Sequence, residues 1–159
     1  MQIDSVRDAI VNWLKSTPRR TFVLYPVCVI AFEWLLNRHL TIEPWGVLLL
    51  LWGYSQYRLV GNYRTASGGG GPGFQKPPER VVDEGPYRFT RNPMYLGHLI
   101  FMLGLAITFH SWLALGILIV NAYWFHQRVL EDERALEARF GADYVAYKKE
   151  VKRWIPGVL

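Results

Sequence analysis

Four apolar runs divide this chain into crossings and connections: Thr21–Leu36, Trp45–Val60, Met94–Phe109 and Trp112–Phe125. Each is 14 to 16 residues long, short of the ~20 that a full membrane span needs. Flanking Trp, Tyr and Arg lengthen each element into the interface, so the pattern predicts four short transmembrane helices. Ahead of them, residues 1–17 place Ile3, Val6, Ile10, Trp13 and Leu14 on one helical face, with Asp4, Arg7, Asp8 and Lys15 elsewhere. That spacing predicts an amphipathic helix lying in the membrane surface. Beyond the fourth run, Val129, Leu130, Leu136 and Phe140 keep helical spacing and Gly141 suits a C-cap. The last span is therefore expected to continue outward, followed by a short helix over 142–151.

The expected fold class is all-α: a polytopic membrane protein with four spans, the interfacial helix and a cytoplasmic C-terminal helical extension. A single membrane domain, 1–159, would comprise the surface helix (1–17), a first helix pair (21–60), a cytoplasmic loop (61–93), a helical hairpin (94–127) and a tail completing a site (128–159). The hairpin follows from a connection of only His110–Ser111. Gly97 and Gly104 on its first arm share a face and allow close approach of another helix or of a ligand. Pro26 is expected to kink the first span.

Composition agrees with a membrane protein. Of 159 residues, 51% are hydrophobic and 15% aromatic, with seven Trp, high for a small soluble domain. A soluble bundle with buried core helices is the competing reading, and the basic residues argue against it. Arg7, Lys15, Arg19 and Arg20 precede the first run. Arg58, Arg64, Lys76, Arg80, Arg88 and Arg91 border the second connection, and the tail adds Arg128, Arg134, Arg139, Lys148, Lys149, Lys152 and Arg153. The first connection has only Arg38, and the third has none. This asymmetry places both termini in the cytoplasm. The net charge of +5 is then explained by topology and anionic lipid, without nucleic acid.

Several features read blandly. Arg19-Arg20 resembles a twin-arginine export signal, but Glu33-Trp34 and three more spans follow with no small-residue cleavage site. Cys28 is alone, excluding an intrachain disulfide and suggesting a packed thiol. Glu33, at the outer end of the first span, is expected to be solvated. The run SGGGGPG (67–73) and the KPP at 76–78 read as a flexible linker, since no Gly-Lys-Ser/Thr follows and no strand precedes. Beside a buried site such a segment would also serve as a lid.

The candidate chemistry lies at the cytoplasmic mouth of the hairpin. Tyr87, Arg88, Arg91, Asn92 and Tyr95 stand directly before an apolar run, where polar groups are costly unless they bind something or reach headgroups. In antiparallel geometry His98 and His126 fall at similar depth, with Glu131-Asp132-Glu133 close by. Acids here suit a cationic group, and Arg91 suits an anion.

At these residues the chain resembles the integral-membrane methyltransferases: the isoprenylcysteine carboxyl methyltransferases, the phospholipid N-methyltransferases and their small bacterial relatives. The resemblance covers residues from about 72 to 157. It rests on Gly85-Pro86-Tyr87-Arg88, Arg91-Asn92-Pro93-Met94-Tyr95-Leu96-Gly97, Asp132-Glu133-x-x-Leu136, Phe140-Gly141-x-x-Tyr144-x-x-Tyr147 and Arg153-Trp154-Ile155-Pro156. Asn92 stands where the carboxyl methyltransferases usually have His, and Asp132 where the family's paired Glu begins; both departures bear on substrate class.

The resemblance implies an integral protein of a bacterial inner membrane, with a site for S-adenosyl-L-methionine at the cytoplasmic face. A lipophilic small-molecule or lipid acceptor would come in sideways from the bilayer, and no metal is implied. Arg91, Asn92 and Glu133 would carry catalysis. Tyr87, Arg91, Asn92, Tyr95, Leu96, Gly97, His98, Asp132 and Glu133 would bind the cofactor. Glu133 and Asp132 would balance its amino group and sulfonium, while Arg91, Asn92, His98 and Tyr95 would meet its carboxylate and hydroxyls. An apolar slot near Leu96, Gly97 and the tail aromatics would take adenine.

Each residue also has a plain structural reading. Tyr87 and Tyr95 fit an interfacial aromatic belt, Arg88 and Arg91 headgroup anchors, and Asn92 a helix cap. The acids fit a solvated helix face, and His126 and Trp154 the interface. Tyr144 and Tyr147 read as packing. Alternative functions are an NADPH-dependent sterol-reductase-like oxidoreductase, a haem protein with His98 and His126 as axial ligands, and a non-catalytic lipid-binding subunit.

Overall fold

The structure, a computed structural model, describes residue 8 and residues 11–69 and 78–155. Among these, every regular element is helical: α1 (Thr17–Asn37), α2 (Pro44–Gly68), α3 (Pro93–Phe109), α4 (Trp112–Phe140) and α5 (Ala142–Glu150), with a 3₁₀ turn at Gly85–Arg88. Of the expected surface helix (1–17), residues 8 and 11–17 are described: 8 and 11–15 are helical, Ser16 is extended, and Thr17 already belongs to α1. The rest of that helix, residues 70–77 of the glycine- and proline-rich segment, and Pro156 lie outside the described residues.

α1 and α4, 21 and 29 residues long, are long and apolar enough to cross a membrane. Only 17% and 22% of their most apolar windows are buried, whereas a soluble core helix would be mostly covered. Val27, Leu35, Leu36, Trp112, Ile119 and Val120 all point outward, which suits lipid as the surrounding medium. α3, at 17 residues, is apolar but shorter. α2 runs for 25 residues, and its second half carries Gln56, Arg58 and Arg64.

The chain forms two compact units. The first comprises the chain up to Trp52 together with Ile100–Ile119. Its core is Val29, Leu105 and Ala114, flanked by Tyr25, Leu50 and Phe101. Phe22 and Phe101 meet edge to face at 4.8 Å. Glycine allows the close approach here: a Cβ on Gly104 would lie 2.8 Å from the Leu50 nitrogen and 3.0 Å from the Gly46 carbonyl. The α3–α4 turn is closed by Ser111, whose N–H donates to the Ala106 carbonyl while its hydroxyl accepts from the Ala114 N–H.

Two expectations are corrected in this unit, those for Glu33 and Cys28. Near Pro26, where a kink is expected, α1 carries a π-helical stretch over Arg20–Leu24. Proline offers no N–H to the carbonyl four residues back, and the wider turn relieves the ring's clash there. Glu33 is buried rather than solvated and accepts from the Asn37 Nδ2 at 2.8 Å. Cys28 is exposed rather than packed.

The second unit comprises Gly53–Leu99 with the chain from Val120 onward. Here α2 continues through 61–68, where a loop was expected. Gly61 does not break it: a Cβ there would meet the Met94 side chain at 3.5 Å, an ordinary contact. The helix ends at Gly69, left-handed at φ 71°, whose N–H donates to the Thr65 carbonyl. α4 passes unbroken through Arg128 to Phe140. Gly141 (φ 56°) stops it, donating to the Glu137 carbonyl, and α5 begins at the next residue.

Candidate active site

Within the second unit a cavity of about 250 Å³ opens among the ends of α2, α3, α4 and α5, close to the lower end of the ~300–1,000 Å³ typical of small-molecule sites. Tyr87, Arg91 and Asn92 of the segment before α3 line it, with Met94 and Tyr95 of the first α3 turn. Asp132, Ala135, Leu136 and Phe140 form one helical stripe of α4 along a second wall. Tyr144 and Tyr147 of α5, Arg64 of α2, and Pro78, Val81 and Val82 complete it. The lining is largely apolar and aromatic, with few polar groups, as ligand sites usually are.

The polar groups are held firmly. Tyr95 donates its hydroxyl to the Asp132 Oδ2 at 2.9 Å, and the Arg128 Nε lies 3.4 Å from the other Asp132 oxygen. Tyr147 donates to the Tyr87 carbonyl at 2.7 Å, tying α5 to the 3₁₀ turn. Burial pushes the Tyr87 hydroxyl up to about 12 against the opposing Arg64 charge. Burial likewise raises Tyr144 and Tyr147 well above the usual phenol range. The phenols are therefore neutral donors at physiological pH.

Beside the cavity sits a buried ionic knot. Arg91 donates its Nε to the Glu133 Oε1 at 3.0 Å, and one terminal nitrogen to the Lys148 and Val151 carbonyls at 3.0 and 2.7 Å. Arg153 donates to both Glu133 oxygens at 3.0 and 2.9 Å, which raises its own pKa. The Thr90 hydroxyl and Asn92 Nδ2 both donate to the Arg153 carbonyl, and the Arg91 N–H to that of Lys152. Thr90-Arg91-Asn92 and Glu133 thereby fasten the 148–153 segment alongside the site. Proline at the first position of α3 releases no donor that needs a partner, leaving the Asn92 side chain for the tail.

Of the residues expected to bind a cofactor, Tyr87, Arg91, Asn92, Tyr95 and Asp132 reach the cavity, while Leu96, Gly97, His98 and Glu133 do not line it. The reasons are geometric. Successive helical residues point about 100° apart, so Asp132 faces the cavity and Glu133 faces the two guanidiniums. Gly97 abuts α2, where an added Cβ would lie 2.9 Å from the Gly53 carbonyl and 3.0 Å from the Tyr57 nitrogen. His98 is fully buried between Tyr57 and Phe125, with ring centroids 4.8 and 5.6 Å away. Leu96 is half-buried off the wall. His126 accepts from the Trp154 Nε1 at 3.2 Å, so the expected interfacial Trp154 is tied back to α4.

Sequence reasoning missed Arg64 and read Tyr144 and Tyr147 only as packing. A signal for Arg64 existed: Gly53, Tyr57, Gly61 and Arg64 recur at spacings of four and three, one face of a continuing helix.

Residues 45–143 match the phospholipid methyltransferase family. The protein-S-isoprenylcysteine O-methyltransferase B of Arabidopsis thaliana is 31% identical over 80 residues, 50% of this chain and 41% of that protein. The corresponding protein-S-isoprenylcysteine O-methyltransferases of Schizosaccharomyces pombe and Xenopus laevis are 32% and 31% identical over 78 and 77 residues, covering 33% and 27% of those proteins. The matched segment thus spans less than half the length of these curated relatives. Two helices long and apolar enough to cross a membrane are consistent with a membrane protein, and the family match covers most of the chain. This chain belongs to the phospholipid methyltransferase family.

Proposed function

We propose that the protein is an S-adenosyl-L-methionine-dependent methyltransferase acting on a lipophilic acceptor at the cytoplasmic face of a bacterial inner membrane. One observation carries the reading: the motif residues before α3 and the acid of α4 share a single aromatic-walled cavity. The donor set fits the cofactor. A carboxylate and several aromatic faces favour a cationic sulfonium, hydroxyls suit ribose, and the flat apolar wall of Val81, Leu136 and Phe140 suits a purine. Four spans with both termini cytoplasmic, supported by the basic-residue asymmetry, would place this cavity on the inner side.

When bound, the cofactor supplies an electrophilic methyl group for in-line displacement, with no covalent enzyme intermediate. The protein's task is alignment and water exclusion, and orientation alone is worth on the order of 7–11 kcal/mol. Asp132, oriented by the Tyr95 hydroxyl, holds the cationic end and is the wall's proton acceptor should the acceptor be an amine. Tyr87, Tyr144 and Tyr147 shape the slot. Arg91, Asn92 and Glu133 position the tail that closes one side, and His98 and Gly97 back the α3 wall from behind.

A phospholipid amine or a prenylated carboxylate would each suit such a site, in keeping with the names of the family and its relatives. A haem bridged by His98 and His126 is not favoured, since His126 is engaged by Trp154. Membranes containing the protein, incubated with methyl-labelled cofactor, are expected to yield a labelled lipid. Absence of any label in lipid or small hydrophobic products would refute the proposal.

A further inference from the structure

Outside the cavity, two exposed apolar side chains and two exposed cations border the seam between the segment before α3 and the chain after α5. The seam is held by the Arg91 N–H, which donates to the Lys152 carbonyl at 3.0 Å, and by the Thr90 hydroxyl and Asn92 Nδ2, which donate to the Arg153 carbonyl at 2.9 and 3.2 Å. Thr90 and Val151 are buried in it. Phe89 and Ile155, by contrast, are 64% and 51% exposed, and Arg88 and Lys152 are exposed as well. The seam lies at the rim of two apolar helices. The Trp154 indole N–H donates to the His126 Nδ1 at 3.2 Å, and His126 directly follows the apolar run Trp112–Phe125. Phe89 stands four residues before Pro93, where the apolar α3 begins. That is the depth at which aromatic and basic side chains meet headgroups.

We propose that Arg88, Phe89, Lys152 and Ile155 form a docking surface for an anionic lipid leaflet. The two apolar side chains enter the headgroup layer, and the two cations meet lipid phosphates. Apolar groups accompanied by Lys and Arg are the make-up of surfaces that lie on a membrane, and each cation near an anionic leaflet adds to the attraction. The surface is separate from the cavity and independent of what the cavity binds. Because the same seam fastens the 148–153 segment beside the cavity, docking also holds that segment in place.

The test is hydrogen exchange of the full chain in lipid nanodiscs, read by mass spectrometry over residues 148–155. Discs of phosphatidylcholine alone are compared with discs that also contain phosphatidylglycerol. Wild-type protection should be about ten- to thirtyfold greater in the anionic discs, the range for two cations near the surface. The gain should vanish at about 1 M salt, where charges are screened within ~3 Å. Arg88→Gln with Lys152→Gln should be protected equally in both discs, whereas Arg88→Lys with Lys152→Arg should behave as the wild type. Phe89→Ser with Ile155→Ser should lower protection in both. Equal wild-type protection in the two discs, a comparison that needs no variant to fold, would overturn the inference. A gain that survives loss of both cations would do the same. Protection that depended on two chains sharing a disc, whatever the lipid, would assign the surface to a second copy and equally overturn it.

Discussion

Replacing Glu133 by Ala removes the centre of the ionic knot, and the structure sets the size of the effect. The residue is only 4% exposed and receives hydrogen bonds from two guanidiniums. Arg91, with a side chain 8% exposed, would lose its buried counter-charge, whereas Arg153 at 28% could turn to solvent. Breaking a buried pair from one side costs about 3–5 kcal/mol, mostly the penalty of the charge left behind. For a chain of this size that corresponds to an unfolding temperature roughly 6–20 °C lower, taking about 2–4 °C per kcal/mol. Thermal unfolding in detergent, read alongside affinity for S-adenosylhomocysteine, is the assay. Glu133→Ala should lower both together, and Glu133→Gln, which keeps an acceptor, should fall between. The Arg91→Ala, Glu133→Ala pair should be clearly less than additive, because either change alone releases the same tail segment. An unchanged unfolding temperature with lost binding would make Glu133 a direct ligand and refute the clamp.

Tyr95→Phe deletes one hydrogen bond to Asp132 and should weaken S-adenosylhomocysteine binding about three- to tenfold; unchanged calorimetric affinity would separate Asp132 from the ligand. Arg91→Ala should cut labelled-methyl transfer at least about tenfold through loss of alignment, and a normal rate would exclude the positioning role. Gly97→Ala drives a Cβ against the α2 backbone and should destabilise the protein by about 1–3 kcal/mol, measured as a lower unfolding temperature with the family motif otherwise intact. Tyr87 is neutral in the folded state up to about 12, so its contribution is complete below the ordinary phenol range and disappears as pH rises through that value. Alkaline unfolding monitored by phenolate absorbance should therefore shift in Tyr87→Phe, and an identical alkaline transition would remove Tyr87 from the account.

Much of the architecture was legible because its signals are local. Helical spacing past Arg128 and a glycine at 141 fix the long α4, its cap and the start of α5, and Pro93 fixes the start of α3. The site motifs were legible as a group: Tyr87, Arg91, Asn92, Tyr95 and Asp132 do meet at one cavity. Their separate roles were not. Nothing in the adjacency of Asp132 and Glu133 says which one faces the cavity, because that depends on where Arg91 and Arg153 arrive from distant parts of the chain. Gly61 reads locally as a helix breaker, yet α2 runs through it to Gly68 and places Arg64 on the cavity wall. Glu33 was misjudged for the same reason: burial is a tertiary property, while the pattern of a single helix records only its own faces.

The most direct test is an experimental structure of the protein with S-adenosylhomocysteine bound. The nucleoside should lie between Tyr87, Asp132 and Tyr144, with its sulfur facing the open side of the cavity and the Arg91–Glu133 knot intact behind it. A ligand bound elsewhere, or a cavity closed by side chains at saturating ligand, would contradict the account.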